Sequence, residues 1–143
     1  MTEIAFHFNA PEKVAYAGRL LRKAYLKGAR LLVVAKPPDA AALDQLLWTM
    51  AATEFVPHCL DAGSPGMRAF SPILIASGPV TEDFTADVLL NLTEEMPTGY
   101  LRFGRVIEVV TLDETDRQRA RDRWRQYKSA GLEPKRHDLK LAG

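Results

Sequence analysis

The chain has a single cysteine, Cys59, among its 143 residues, so no internal disulfide staples the fold, and a lone thiol suits a reducing cytoplasm. Long apolar runs are missing as well. Stretches such as Leu31 to Ala35 and Ile73 to Ala76 fall far short of the ~20 residues that a membrane-crossing helix needs. Glu3, His7 and Glu12 interrupt any basic-then-apolar leader pattern, and there is no internal repeat or low-complexity tract. Histidine is scarce: beside the adjacent His58 and Cys59, only His7 and His137 occur, so no second cluster exists to complete a metal site. Phosphate-binding glycine loops are absent too. Phe8-Asn9-Ala10-Pro11-Glu12 contains no glycine, and Gly63-Ser64-Pro65-Gly66 lacks a following Lys-Ser/Thr pair. Glu82-Asp83 and Glu94-Glu95 sit beside turn signals and read as solvated charge rather than acid–base pairs. No cofactor and no metal are expected.

What is present is the composition of an ordinary folded domain, 47% hydrophobic and 26% charged. Ile4 to Phe8 reads as a first strand. Asn9 or Ala10 caps a helix opening at Pro11 and running to about Lys27, where Gly28 stops it. Leu31 to Ala35 is a short, wholly apolar run, as expected of a strand covered on both faces. Asp39 is placed to cap a second helix ending near Trp48 or Met50. Glu54 to Leu60, interrupted by Pro57, reads as an edge strand or connector. Ile73 to Ala76, Val88 to Leu92 and Arg105 to Val110 follow as strands, the last of them closing the set. A final helix opens at Thr111 or Asp113 and stops at Gly131. Strand and helix alternate, so the expected fold is α/β, an open, mostly parallel sheet with helices on both faces, resembling mononucleotide-binding folds. Residues 1–131 form one domain in this reading, and residues 132–143 a partly ordered tail.

The formal net charge, +1, conceals an asymmetry. Residues 1–113 carry 10 basic and 13 acidic side chains, whereas residues 114–143 carry 9 basic and 5 acidic ones. Arg117, Arg119, Arg121, Arg123, Arg125 and Lys128 face a single acid, Asp122, within 117–128. Arg117, Arg121, Trp124 and Lys128 are spaced to share one helical face, with Arg125 beside it. Guanidinium groups around an indole make a pocket for an acidic peptide with an aromatic end. The alternative is that Trp124 and Tyr127 belong to the core and the arginines are merely solvated. A second constellation, Trp48 with Phe55, Val56 and Pro57, lies where the second helix meets the edge segment, and is either core or a docking surface for another chain.

Leu43-Asp44-Gln45-Leu46-Leu47-Trp48, followed by Glu54-Phe55-Val56-Pro57-His58, resembles the chi subunit family of bacterial DNA polymerase III. So does Ala120-Arg121-Asp122-Arg123-Trp124-Arg125-Gln126-Tyr127-Lys128 with Ala130-Gly131, and the order of elements matches over nearly the whole chain. The resemblance implies a non-catalytic accessory subunit of the clamp-loader assembly, cytoplasmic, that grips the acidic, Pro-Phe-ending C-terminal tail of single-stranded DNA-binding protein. It maps that tail site to Val110, Arg121, Trp124 and Arg125, to which the helical face adds Arg117 and Lys128. The family usually has Tyr in place of Trp124 and often Lys in place of Arg125; ring and charge are kept. A second family surface, for the psi subunit or another clamp-loader component, maps to Trp48, Phe55 and Pro57, with Val56 between them. No strong direct DNA binding and no membrane association are expected. Two rivals remain on residues alone: a nucleotide-binding enzyme on an α/β scaffold, and a basic helix that binds nucleic acid directly.

Overall fold

The computed structural model describes residues 2–49, 57–60, 72–77, 86–97 and 99–139. The central strands are the wholly apolar runs. β2 (Leu31–Val34), β4 (Ile73–Ala76) and β5 (Val88–Asn91) are buried along nearly their full length, because helices cover both faces of the sheet. β1 (Glu3–Ala10) instead alternates between buried and partly exposed positions, as befits a strand near an edge. With β3 (Cys59–Leu60), β6 (Arg105–Thr111) and β7 (Lys135–Asp138), they form a seven-stranded sheet in the order β3-β4-β2-β5-β6-β1-β7. Every pairing between these strands is parallel.

Alternation along the strands divides the core in two. Leu31, Val33, Ile73, Ile75, Leu90, Ile107 and Val109 face α1 (Lys13–Leu26) and α2 (Pro37–Thr49), which contribute Ala17, Leu21, Leu43 and Leu47. Phe6, Phe8, Leu32, Leu74, Leu89, Val106 and Val110 face the other way, toward Ala120 and Tyr127 of α3 (Glu114–Ser129). The open α/β sheet with helices on both faces is therefore the fold.

Several boundaries differ from the sequence expectation, each for a local reason. β1 runs on through Asn9 to Ala10 instead of yielding to a cap there. Asn9 adopts a left-handed backbone, φ 66°, which asparagine tolerates, and the register with β6 gains an extra residue between His7 and Ala10. That bulge sends Ala10 to the α1 side of the sheet while Phe8 stays on the α3 side. The cap of α1 is consequently Glu12. α2 starts at Pro37, not after an Asp39 cap. The Lys36 carbonyl accepts the Ala40 N–H at 2.8 Å, and both prolines sit in the first turn, where a missing N–H costs nothing.

β6 is not the last strand. At the end of α3, Gly131 takes φ +88°, its N–H bonds to the Lys128 carbonyl, and the Leu132 N–H bonds back to the Tyr127 carbonyl. This pair of bonds is a Schellman stop, with Leu132 packed on the core beneath α3. The chain is thereby turned to lay β7 along β1, with Phe6 opposite Arg136 and Phe8 opposite Asp138. Asn9 Nδ2 donates to Asp138 Oδ1 and ties the far end of the pair. Residues 140–143 of the expected tail lie outside the described residues.

Candidate functional site

α3 carries the site, and its N-terminus is firmly fixed. The Asp113 side chain caps it by accepting the Asp116 N–H at 3.0 Å. Asp116 in turn accepts the backbone N–H and the hydroxyl of Thr111 and pairs with Lys13 of α1 at 3.2 Å. Burial alone would raise the Asp116 carboxyl; the Thr111 N–H and the Lys13 ammonium outweigh it and hold the group below the usual carboxylate range.

Asp116, Ala120, Arg123 and Tyr127 form the buried stripe of this helix. Arg123 was counted from sequence among the outward charges, and the structure corrects that. Its side chain is 1% exposed and its Nε lies 3.0 Å from Glu108 Oε1 on β6. The Tyr127 hydroxyl donates to the same carboxylate at 2.7 Å and Asn91 Nδ2 at 2.9 Å. Burial pushes the Glu108 carboxyl upward, while the Arg123 guanidinium, Tyr127 and Asn91, all donors, pull it back. Tyr127 is itself raised, by burial first and then by Glu108.

The outward stripe of α3 borders a groove of about 450 Å³, lined by Phe8, Arg117, Arg121, Trp124, Arg125 and Arg136. Its apolar floor is aromatic. The Trp124 ring lies 5.1 Å from that of Phe6 and 6.3 Å from that of Phe8, centroid to centroid, and remains only partly buried. Trp124 is thus both core and wall, which merges the two readings that the sequence left open. Arg121 Nη1 donates to Gln118 at 2.9 Å and reaches Glu114 at 3.4 Å; Arg125 pairs with Asp122 at 2.7 Å. These pairs are solvent-exposed, and such pairs contribute only about 0–1 kcal/mol, so a stronger anion can displace them. Arg119 is turned aside to Glu94.

Four of the six residues assigned to the tail site from sequence therefore meet in one groove: Arg117, Arg121, Trp124 and Arg125. Lys128 is exposed but does not line it. Val110 does not reach it either: it is 0% exposed on β6, in the layer beneath α3, and supports the floor from below. Two lining residues, Phe8 and Arg136, were not assigned to the site: Phe8 was overlooked, and Arg136 was discounted because the chain beyond Gly131 is less similar to the family. Phe8 could have been found by its alternation with Phe6. Arg136 gave no signal, since Lys135-Arg136-His137-Asp138 contains no apolar residue to mark a strand.

The second constellation sits near the opposite edge of the sheet, beside β3. Trp48 is 59% exposed at the end of α2, its ring edge-on to His58, which pairs with Asp44 at 3.0 Å. Pro57 is partly buried just before β3. Phe55 and Val56 lie outside the described residues. Among the described residues no three His, Cys, Asp or Glu side chains gather as a metal site, and no helix is long and apolar enough to cross a membrane.

Known proteins agree with this frame. The family described as DNA polymerase III chi subunit, HolC, matches residues 1–135. The DNA polymerase III subunit chi of Pseudomonas aeruginosa is 31% identical over 97% of this chain and 98% of its own length. That of Escherichia coli K12 is 30% identical over 73% of this chain and 71% of its own length. Among solved structures, the C-terminal domain of the DEAD-box protein Dbp5 covers 97% of this chain and 91% of its own at a TM-score of 0.64; at 14% identity, this is a likeness of fold alone. A family match over nearly the whole chain, with a relative of the same description matched over nearly its full length, establishes that this chain belongs to the DNA polymerase III chi subunit family.

Proposed function

We propose that the chain is a non-catalytic accessory subunit that joins the clamp-loader part of the polymerase III holoenzyme to single-stranded DNA-binding protein, by holding that protein's acidic C-terminal tail in the groove beside α3. The observation that carries this reading is the convergence of Arg117, Arg121, Arg125 and Arg136 around the rings of Trp124 and Phe8. A strand tip that ends in an aromatic residue and a carboxylate needs an apolar slot with guanidinium groups at its rim, because those groups grip carboxylates in planar, two-pronged fashion. The groove is bounded by one helix and the ends of two neighbouring strands, which suits a few residues of peptide better than a length of nucleic acid. Trp48 with Phe55, Val56 and Pro57 serves, in the same proposal, as the contact for psi or another clamp-loader component. The setting is the cytoplasm.

The test is a titration of a fluorescent acidic peptide ending in Pro-Phe against the wild-type protein and Arg121→Ala. Loss of a hydrogen-bonded charge contact costs about 1.5–3 kcal/mol, so the variant should bind at least roughly tenfold more weakly. Equal binding by the two proteins removes the proposed role of the groove.

A further inference from the structure

We infer that the exposed face of α1 is a weak, salt-sensitive contact for single-stranded DNA, on the opposite side of the sheet from the peptide groove. The overall charge of residues 1–113 conceals it. Residues 13–38 hold seven of the ten basic side chains of that stretch and none of its thirteen acids. The segregation is as sharp as that on α3, and only the acids elsewhere cancel it in the total.

The fold occupies some of these cations. Lys13 pairs with Asp116, and Lys36 with Glu94. Arg19, Lys23 and Lys27 are exposed and make no ion pair with a carboxylate among the described residues. Spaced i, i+4 and i+8, they line one side of α1, with successive charges about 6 Å apart along the axis. Like charges at that spacing repel and weaken a helix. A surface that serves solubility alone intersperses both signs, whereas here the nearest acid in sequence, Glu12, stands back at the N-cap. A regular row of cations on an open face fits a flexible chain with a regular charge repeat, which is what a single strand's phosphates provide.

Rings beside that row favour a nucleic acid over an acidic peptide. From Tyr16, one turn before Arg19, a ladder of rings leads to the sheet edge: Tyr16 to His7 at 5.8 Å, and His7 to His137 at 4.9 Å, centroid to centroid. His7 and His137 are register partners on β1 and β7, and His137 is exposed at the edge. It therefore presents a ring backed by two others on the α1 side of the sheet. Lys135 flanks it on the same side, 3.8 Å from Glu3 and exposed. Bases stack on such rings irrespective of sequence while cations follow the phosphates. In a DNA polymerase subunit family, DNA is the polyanion at hand.

The experiment is fluorescence anisotropy of a labelled oligothymidylate, free of any coating protein, at pH 8 and low salt. It compares wild type, the triple variant Arg19→Gln/Lys23→Gln/Lys27→Gln, His137→Ala, and the groove variant Arg121→Gln/Arg125→Gln. The triple variant should bind at least roughly tenfold more weakly, and its plot of log affinity against log salt should flatten by about 2, as expected for three lost phosphate contacts. His137→Ala should lose roughly threefold or more with the salt slope unchanged, because stacking releases no counterions. The groove variant should bind the oligothymidylate as wild type does, and the triple variant should keep full affinity for the acidic Pro-Phe-ending peptide. No binding by wild type, no loss in the triple variant, no effect of His137→Ala, or an equal loss in the groove variant overturns the inference. So does polyglutamate that competes as well as unlabelled oligothymidylate of equal charge, which marks a general polyanion surface. None of these outcomes bears on the peptide-binding reading, which stands on α3. Arg19, Lys23 and Lys27 occupy exposed helix positions, and unchanged thermal unfolding of the triple variant separates a lost contact from lost folding.

Discussion

Arg123 Nε and Glu108 Oε1 meet at 3.0 Å in full burial, linking the middle of α3 to the centre of the sheet. The Arg123 Nη1 also donates to the Glu94 carbonyl at 2.9 Å, so one guanidinium ties the helix to two neighbouring chain segments. Its helical neighbours Arg121 and Arg125 face solvent. The buried pair thus fixes the rotation of α3 and with it which arginines reach the groove.

Arg123→Met should destabilise the protein by about 3–5 kcal/mol, since it leaves the Glu108 carboxylate buried without its cation. Denaturant unfolding measures this, and Arg119→Met, at an exposed pair, should cost about 1 kcal/mol or less. A cost for Arg123→Met no larger than that for Arg119→Met would mean that the buried pair does not hold the helix.

Peptide affinity should fall as salt is added, because the rim charges are exposed and screened within a distance of about 10 Å at 0.1 M salt. The thermal midpoint should change little over the same range, because the pair that fixes α3 is buried. Binding insensitive to salt would place the contact in the apolar floor alone.

Acid should loosen the β1–β7 edge. His7 is held near a pKa of about 4 by burial first, then by His137 of β7 and Arg105 of β6. Its Nδ1 lies 2.5 Å from the hydroxyl of Tyr16 on α1. His7 is neutral in the folded chain, whereas the unfolded chain takes up its proton near 6.5. Stability from this site is therefore complete above about pH 6.5 and lost as pH falls toward 4. Thermal unfolding at pH 7 and at pH 4.5 should show a smaller drop for His7→Gln than for wild type. An identical drop contradicts this.

The two surfaces should separate genetically. Trp48→Ala should leave acidic-peptide binding unchanged and weaken capture of psi or the alternative clamp-loader partner in a pull-down with that purified component. Arg121→Ala should do the reverse. Simultaneous loss of both activities in Trp48→Ala, with folding retained, would contradict separate surfaces.

Much of this was legible in the residues, because the signals are local. The apolar runs of β2, β4 and β5 mark strands covered on two faces, and Asp113 and Gly131 bound α3 as a cap and a left-handed stop do. Spacing alone brought Arg117, Arg121 and Trp124 to one face. What was not legible depends on distant partners. Arg123 looks like one more surface arginine until Glu108, 15 positions earlier, is placed beneath it. β7 is a charged tetrapeptide that becomes a strand only because β1 offers it an edge and Gly131 aims it there. Val110 came to the site by likeness to the family, and its depth in the sheet could be seen only once α3 was laid over it.

The chain contains two tryptophans, one on each proposed surface, and their indole N–H signals in a nitrogen-resolved NMR spectrum report on each separately. Titration with the acidic Pro-Phe-ending peptide should shift the Trp124 indole saturably, together with the backbone signals of Phe8 and Arg136, and leave the Trp48 indole in place. A Trp124 indole that stays still while the peptide binds, or a response confined to Trp48, would contradict the account.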